Sequence, residues 1–132
     1  MQKLSIGNWN DFYREGIQYL NVAMNTAGKK AAFTPEILYN IIAMGIEKQI
    51  MGLLMFRGVL PENHTLRDLL NSLKTVTEVP EILSEKLIAM DGFQEICRID
   101  FYKRKTPTDS DIREFLETGI LVMSLVKKQL PC

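Results

Sequence analysis

Arg57 and the only histidine in the chain, His64, flank one tight connection that also holds Gly58 and Pro61. Both side chains suit phosphate chemistry. A guanidinium is planar, permanently charged, and can hold phosphate oxygens through two parallel N–H bonds. An imidazole, with an ordinary pKa of about 6.5, can take a proton from a ribose 2′-hydroxyl at neutral pH. Each also has a plainer reading. Arg57 closes an apolar helix, where a cation meets the negative end of the helix dipole and the last-turn carbonyls. His64 opens a short helix, and a hydrogen bond to Asp68 one turn further on would seat it there.

Two further groups of residues carry candidate chemistry. Glu47 and Lys48 lie within an otherwise apolar stretch. Charges there must be paired or reach water. They can line a polar pocket between helices, where bundles hold ligands, or pair with charges on another helix or subunit. Lys103, Arg104 and Lys105 form the densest basic run, just after Phe101 and Tyr102. They can contact phosphates while an aromatic ring stacks a base, or they can be a solvated loop. Cys97 and Cys132 are too far apart and too few for a disulfide framework, and with one histidine there is no zinc-binding cluster. No metal and no cofactor is expected.

These residues need elements to position them, and the apolar spacing is close to 3.6 almost throughout. The first helix is expected from about Asn10, as N-cap, to Ala27, with Gly28 closing it. The second opens at Thr34-Pro35-Glu36, as N-cap, N1 proline and first-turn acid, and stops at Gly58. It is apolar nearly all round, as expected for the central helix of a bundle or half of a dimer interface. Gly45 and Gly52 in its interior each cost about 1 kcal/mol relative to alanine and point to close approach of a neighbouring helix. The third helix, about Thr65 to Thr75, starts with a capping-box pattern, Thr65-Leu66-Arg67-Asp68. The fourth begins near Pro80, read as an N1 proline, with Asp91-Gly92 expected to bend or split it. The fifth runs from about Asp109 to Gln129, and Pro131 ends it. The spacing shows no strand and no repeat. The expected fold is all-α: an antiparallel up-and-down bundle of four long helices plus one short helix, one domain over residues 1–132.

Composition sets limits. The chain has 132 residues, 46% of them apolar, with sixteen basic and sixteen acidic side chains. A core without disulfides is within reach, and no global basic field draws in nucleic acid. The start, MQKLSIGNWN, lacks a signal-peptide pattern. Ile37 to Phe56 has the length of a membrane span, but Glu47 and Lys48 at its centre would each cost about 2.5–3.5 kcal/mol in a bilayer. A cytoplasmic protein with no membrane contact is expected.

Three stretches resemble the HEPN domains, a small all-helical family once described as nucleotidyltransferase substrate-binding domains. Glu47-Lys48 followed by LLMFRG is similar to the family's EKxxxALL…G helix. His64-Thr65-Leu66 followed by Leu69-Leu70 is similar to its HDLxxLL segment, with threonine in place of the aspartate. Arg98, followed by an aromatic and basic loop, is similar to its RY…P region. The alignment spans about Asn10 to Leu130. The resemblance implies a dimeric bundle that works with nucleotides or RNA. One branch accompanies a small nucleotidyltransferase as partner subunit. The other comprises metal-independent ribonucleases with an Arg–x(4–6)–His motif, some of them toxins of toxin–antitoxin pairs. Arg57 and His64 fit that spacing, but Gly58 stands where the motif has a polar residue, and Pro61 breaks any helix between them.

The leading expectation is therefore a non-catalytic HEPN-type binding module, dimeric, acting with a nucleotidyltransferase or another nucleotide- or RNA-related partner. Its ligand-binding residues are expected to be Glu47, Lys48, Arg57, His64, Asp68 and Arg98, with Lys103, Arg104 and Lys105 as phosphate contacts. The alternatives are a metal-independent ribonuclease using Arg57 and His64 as catalytic residues, and a helical protein-interaction domain with no nucleotide role.

Overall fold

The computed structural model describes residues 7–26, 33–99 and 106–131, with side-chain detail throughout except at 94–99. They form five helices: α1 (Trp9–Thr26), α2 (Pro35–Phe56), α3 (Leu66–Leu73), α4 (Glu81–Ile99) and α5 (Asp109–Gln129). Among the described residues there is no strand. The expected all-α bundle of four long helices and one short one is what the chain forms.

Local sequence sets most of the helix ends. The Thr34 hydroxyl accepts the Ile37 N–H at 3.2 Å, and Pro35 opens α2. At the other end, Gly58 takes φ +75°. Its N–H reaches the Met55 carbonyl, and the Val59 N–H reaches the Leu54 carbonyl at 2.8 Å. That paired closure is the Schellman arrangement, and glycine is the residue that enters it without strain. A full capping box starts α5: the Thr108 N–H donates to Asp111, whose N–H donates back to the Thr108 hydroxyl.

The path alternates in direction. Gly52 on α2 backs onto Trp9 and Tyr13 of α1, while Gly45 backs onto Gly16 and Leu20, so α1 and α2 are antiparallel. α2 and α5 run the same way, with Tyr39 beside Phe115 near one end and Arg57 bonded to Gln129 at the other. α4 runs against both, because Val76 at its approach lies by Arg57 and Met90 lies by Tyr39. α3 packs between α2 and α4.

α2 is the central helix. Ile42, Ile46, Ile50, Leu53 and Leu54 are wholly buried, each contributing about 1.5–3 kcal/mol of apolar burial. Its seam with α1 is tight enough that a methyl group on Gly16 would lie 2.8 Å from the Gly45 carbonyl. The close approach expected at Gly45 and Gly52 is present. The burial that makes α2 hydrophobic is internal to the bundle, although by length and composition alone it could cross a membrane.

Three expectations are corrected. Asn10 lies inside α1, and the Asn8 carbonyl accepts the first-turn amides of Asp11 and Phe12 instead. α4 starts beside Pro80 as expected, but Pro80 lies just before its first residue rather than at N1, with its carbonyl accepting from Leu83 and Ser84. Asp91-Gly92 does not split α4, which runs unbroken through both residues, with Met90 and Phe93 packed on Tyr39 and Asp91 facing Arg67. α2 is covered on most sides, as its composition implies, with Ile37 and Met44 exposed. Gly28 and residues 101–105 lie outside the described residues, as do the side chains of Cys97 and Arg98.

Candidate functional site

His64 directly precedes the N-cap of α3. The Thr65 hydroxyl takes the Asp68 N–H at 3.1 Å and donates to the Asp68 carboxylate at 2.6 Å. Both groups of the capping pair are thereby used on each other. The expected His64–Asp68 hydrogen bond does not form, because Asp68 is held by Thr65. His64 turns instead toward α2, with Nδ1 2.9 Å from Glu47 Oε2.

A carboxylate only accepts, so the imidazole donates from Nδ1. In the neutral ring this fixes the tautomer and leaves the Nε2 lone pair free. The two side chains are 52% and 35% exposed. They line a cavity of about 260 Å³ with Asn40, Ala43, Met44 and Leu66. Its walls combine one carboxylate, one imidazole and one amide with an apolar floor.

Arg57 is occupied elsewhere. One terminal nitrogen donates to the Gln129 side-chain oxygen at 2.8 Å, the other to the Val76 carbonyl at 3.4 Å. The guanidinium thus ties the end of α2 to the end of α5 and to the α3–α4 connection. Glu47 and Arg57 are both on or at the end of α2, and at 1.5 Å per residue lie ~15 Å apart along it. His64 follows Glu47, so the structure does not bring Arg57 and His64 into one set of contacts.

Glu47 and Lys48 also diverge, since successive helical residues point about 100° apart. Lys48 faces α1, 3.5 Å from Glu15 and 4.9 Å from the Phe12 ring centroid. Next along α2, Gln49 is wholly buried against Gly16. Neither polar atom of its amide has a hydrogen-bond partner among the described residues.

Of the expected ligand-binding residues, the cavity brings together Glu47 and His64. Asp68, Arg57 and Lys48 are each held by other partners. Arg98, Lys103, Arg104 and Lys105 fall where side chains are not described. Sequence reasoning missed Asn40 and Gln129. Asn40 has a signal, a lone amide two turns before Glu47 on the same side of α2, but Gln129 has none, since its partner is 72 residues away. Among the described residues no group of three His, Cys, Asp or Glu could hold a metal ion.

No family model matches the chain, and no curated protein matches it. Two solved structures do. TT1696 from Thermus thermophilus has a TM-score of 0.77 at 21% identity, over 95% of this chain and 100% of that one. ST0689, an archaeal HEPN homologue, has a TM-score of 0.70 at 20% identity, over 94% of this chain and 98% of that one. At that identity the likeness is one of fold, and it extends over nearly the full length of all three chains. The five-helix arrangement built around α2 is a HEPN-like fold.

Proposed function

We propose that this chain is a non-catalytic HEPN-type binding module, which dimerises and serves a nucleotidyltransferase or another nucleotide- or RNA-related partner. The observation that carries the reading is the separate commitment of its two phosphate-type residues. Arg57 is bonded to Val76 and Gln129, while His64 is bonded to Glu47. Metal-independent cleavage needs a cation at the phosphate and a base at the 2′-hydroxyl of one nucleotide. A pair spent on different structural contacts suits recognition and support better than that step. The cavity at Asn40, Glu47 and His64 is the ligand site in this reading. The exposed apolar side chains of Phe33, Ile37 and Met44, on one side of α2 and just before it, support the dimer.

The test is a titration of the protein with adenine and guanine nucleotides, followed by heteronuclear NMR. The expected result is amide shifts centred on Asn40, Glu47 and His64. His64→Ala should weaken binding by about tenfold, or 1.4 kcal/mol. Its melting temperature should hardly change, since an exposed pair contributes about 0–1 kcal/mol. If no nucleotide binds at millimolar concentration and no co-encoded nucleotidyltransferase associates, the reading fails.

One observation favours the ribonuclease alternative. A carboxylate holding Nδ1 and leaving Nε2 free is the arrangement of an oriented general base. Under that reading Arg57 would have to leave Gln129 on substrate binding, and RNA cleavage in the presence of EDTA would be lost in both Arg57→Ala and His64→Ala.

A further inference from the structure

α1 and α5 meet where Leu20 covers Gly119: a methyl group built on Gly119 would lie 2.6 Å from a Leu20 methyl carbon. Toward the start of α1 the two helices leave a groove of about 520 Å³, within the ~300–1,000 Å³ range of small-molecule sites. Ile17 and Met123 give it an apolar floor, Gln18 and Ser124 add neutral polar groups, and Arg14 and Lys127 supply positive charge. Among the described residues no acidic side chain lines it.

The two cations are available. Lys127 makes no ion pair among the described residues. Among the described residues Arg14 pairs only with Asp11, at 3.6 Å, and both side chains are more than half exposed. An exposed pair one turn apart is worth about 0.3–0.5 kcal/mol, less than a charge-assisted bond to a phosphate. The helix dipole accounts for Lys127 in the last turn of α5, but not for Arg14, the sixth residue of α1, which lies beyond the first turn where the dipole acts.

We propose that this groove binds a phosphomonoester of a small apolar or aromatic molecule. The phosphate sits between the Arg14 fork and the Lys127 ammonium, and the organic body lies on Ile17 and Met123. Gln18 and Ser124 hydrogen-bond its polar substituents. The groove shares no lining residue with the Glu47–His64 cavity, so this site stands whether or not that cavity binds a nucleotide.

The experiment is an amide-resolved NMR titration of the full chain with phenyl phosphate. Inorganic phosphate, phenol and a short single-stranded oligoribonucleotide form parallel arms. Phenyl phosphate should shift both walls of the groove and bind more tightly than phosphate or phenol alone. Lys127→Glu and Arg14→Gln should each weaken it by about tenfold or more, with an unchanged melting temperature, and His64→Ala should leave it unaltered. Should Lys127→Glu disturb the fold, Lys127→Gln gives the same readout. Four results would each overturn the proposal: no shifts at millimolar ligand, shifts spread over other basic residues, affinity that survives both groove variants, or tighter and steeply salt-dependent binding of the oligoribonucleotide.

Discussion

Arg57 shows how far a residue's position alone underdetermines its role. Its place at the end of α2 suggested either a phosphate clamp or a capping cation. The side chain is instead a cross-brace, holding Gln129 of α5 and the Val76 carbonyl at once. Arg57→Ala should therefore lower stability by about 1–3 kcal/mol in chemical denaturation, because two partly buried acceptors lose their donor. Arg57→Lys should recover little of that, since one ammonium cannot reproduce a planar fork. Gln49 offers the opposite case. Its amide is wholly buried with no hydrogen-bond partner among the described residues. Gln49→Met keeps the shape and removes the unsatisfied groups, so it should raise stability by about 1–2 kcal/mol.

The seam between α1 and α2 sets which helical glycines can change. At Gly16 an added methyl would lie 2.8 Å from the Gly45 carbonyl and from the Gln49 amide nitrogen, both of them backbone. Gly16→Ala should cost about 1–3 kcal/mol by overpacking, despite alanine's better helix propensity. At Gly92 nothing lies within 4 Å of such a methyl, and Gly92→Ala should stabilise by about 0.5–1 kcal/mol. Paired thermal melts decide both. α4 and α5 are joined by Lys86, 2.8 Å from Glu114 and 3.6 Å from Glu117. The Glu114 hydrogen bond, with the charge of both carboxylates, raises the Lys86 pKa above its ordinary value of 10.5. A raised pKa means the folded state holds the proton more tightly. Its stabilisation is full below about pH 10.5 and is lost as pH rises through the folded pKa. The stability gap between wild type and Lys86→Met should therefore narrow above that pH in alkaline melts.

Elements whose ends are written locally were legible in the sequence. Thr34-Pro35 starts α2, Gly58 ends it, and α5 runs from Asp109 to Gln129 as its spacing predicts. What failed to be legible depended on tertiary partners. Asp91-Gly92 reads as a break, yet α4 continues through it with Phe93 on Tyr39 and Asp91 facing Arg67, and His64 reads as paired to Asp68 until the fold brings Glu47 within reach. Two of the three polar residues of the cavity, Glu47 and His64, were thus named in advance, while the pairing that defines it was not.

For the molecule as a whole, the HEPN-like fold sets α2 at the centre, with the Glu47–His64 pair at one side and Arg57 fastened at its end. Under the proposed function this layout serves binding rather than cleavage. The most direct test is incubation of purified protein with end-labelled RNA in EDTA, alongside Arg57→Ala and His64→Ala. Intact RNA is expected in all three reactions. Cleavage by wild type that disappears in both variants would contradict it, and would make Arg57 and His64 a catalytic pair brought together by substrate.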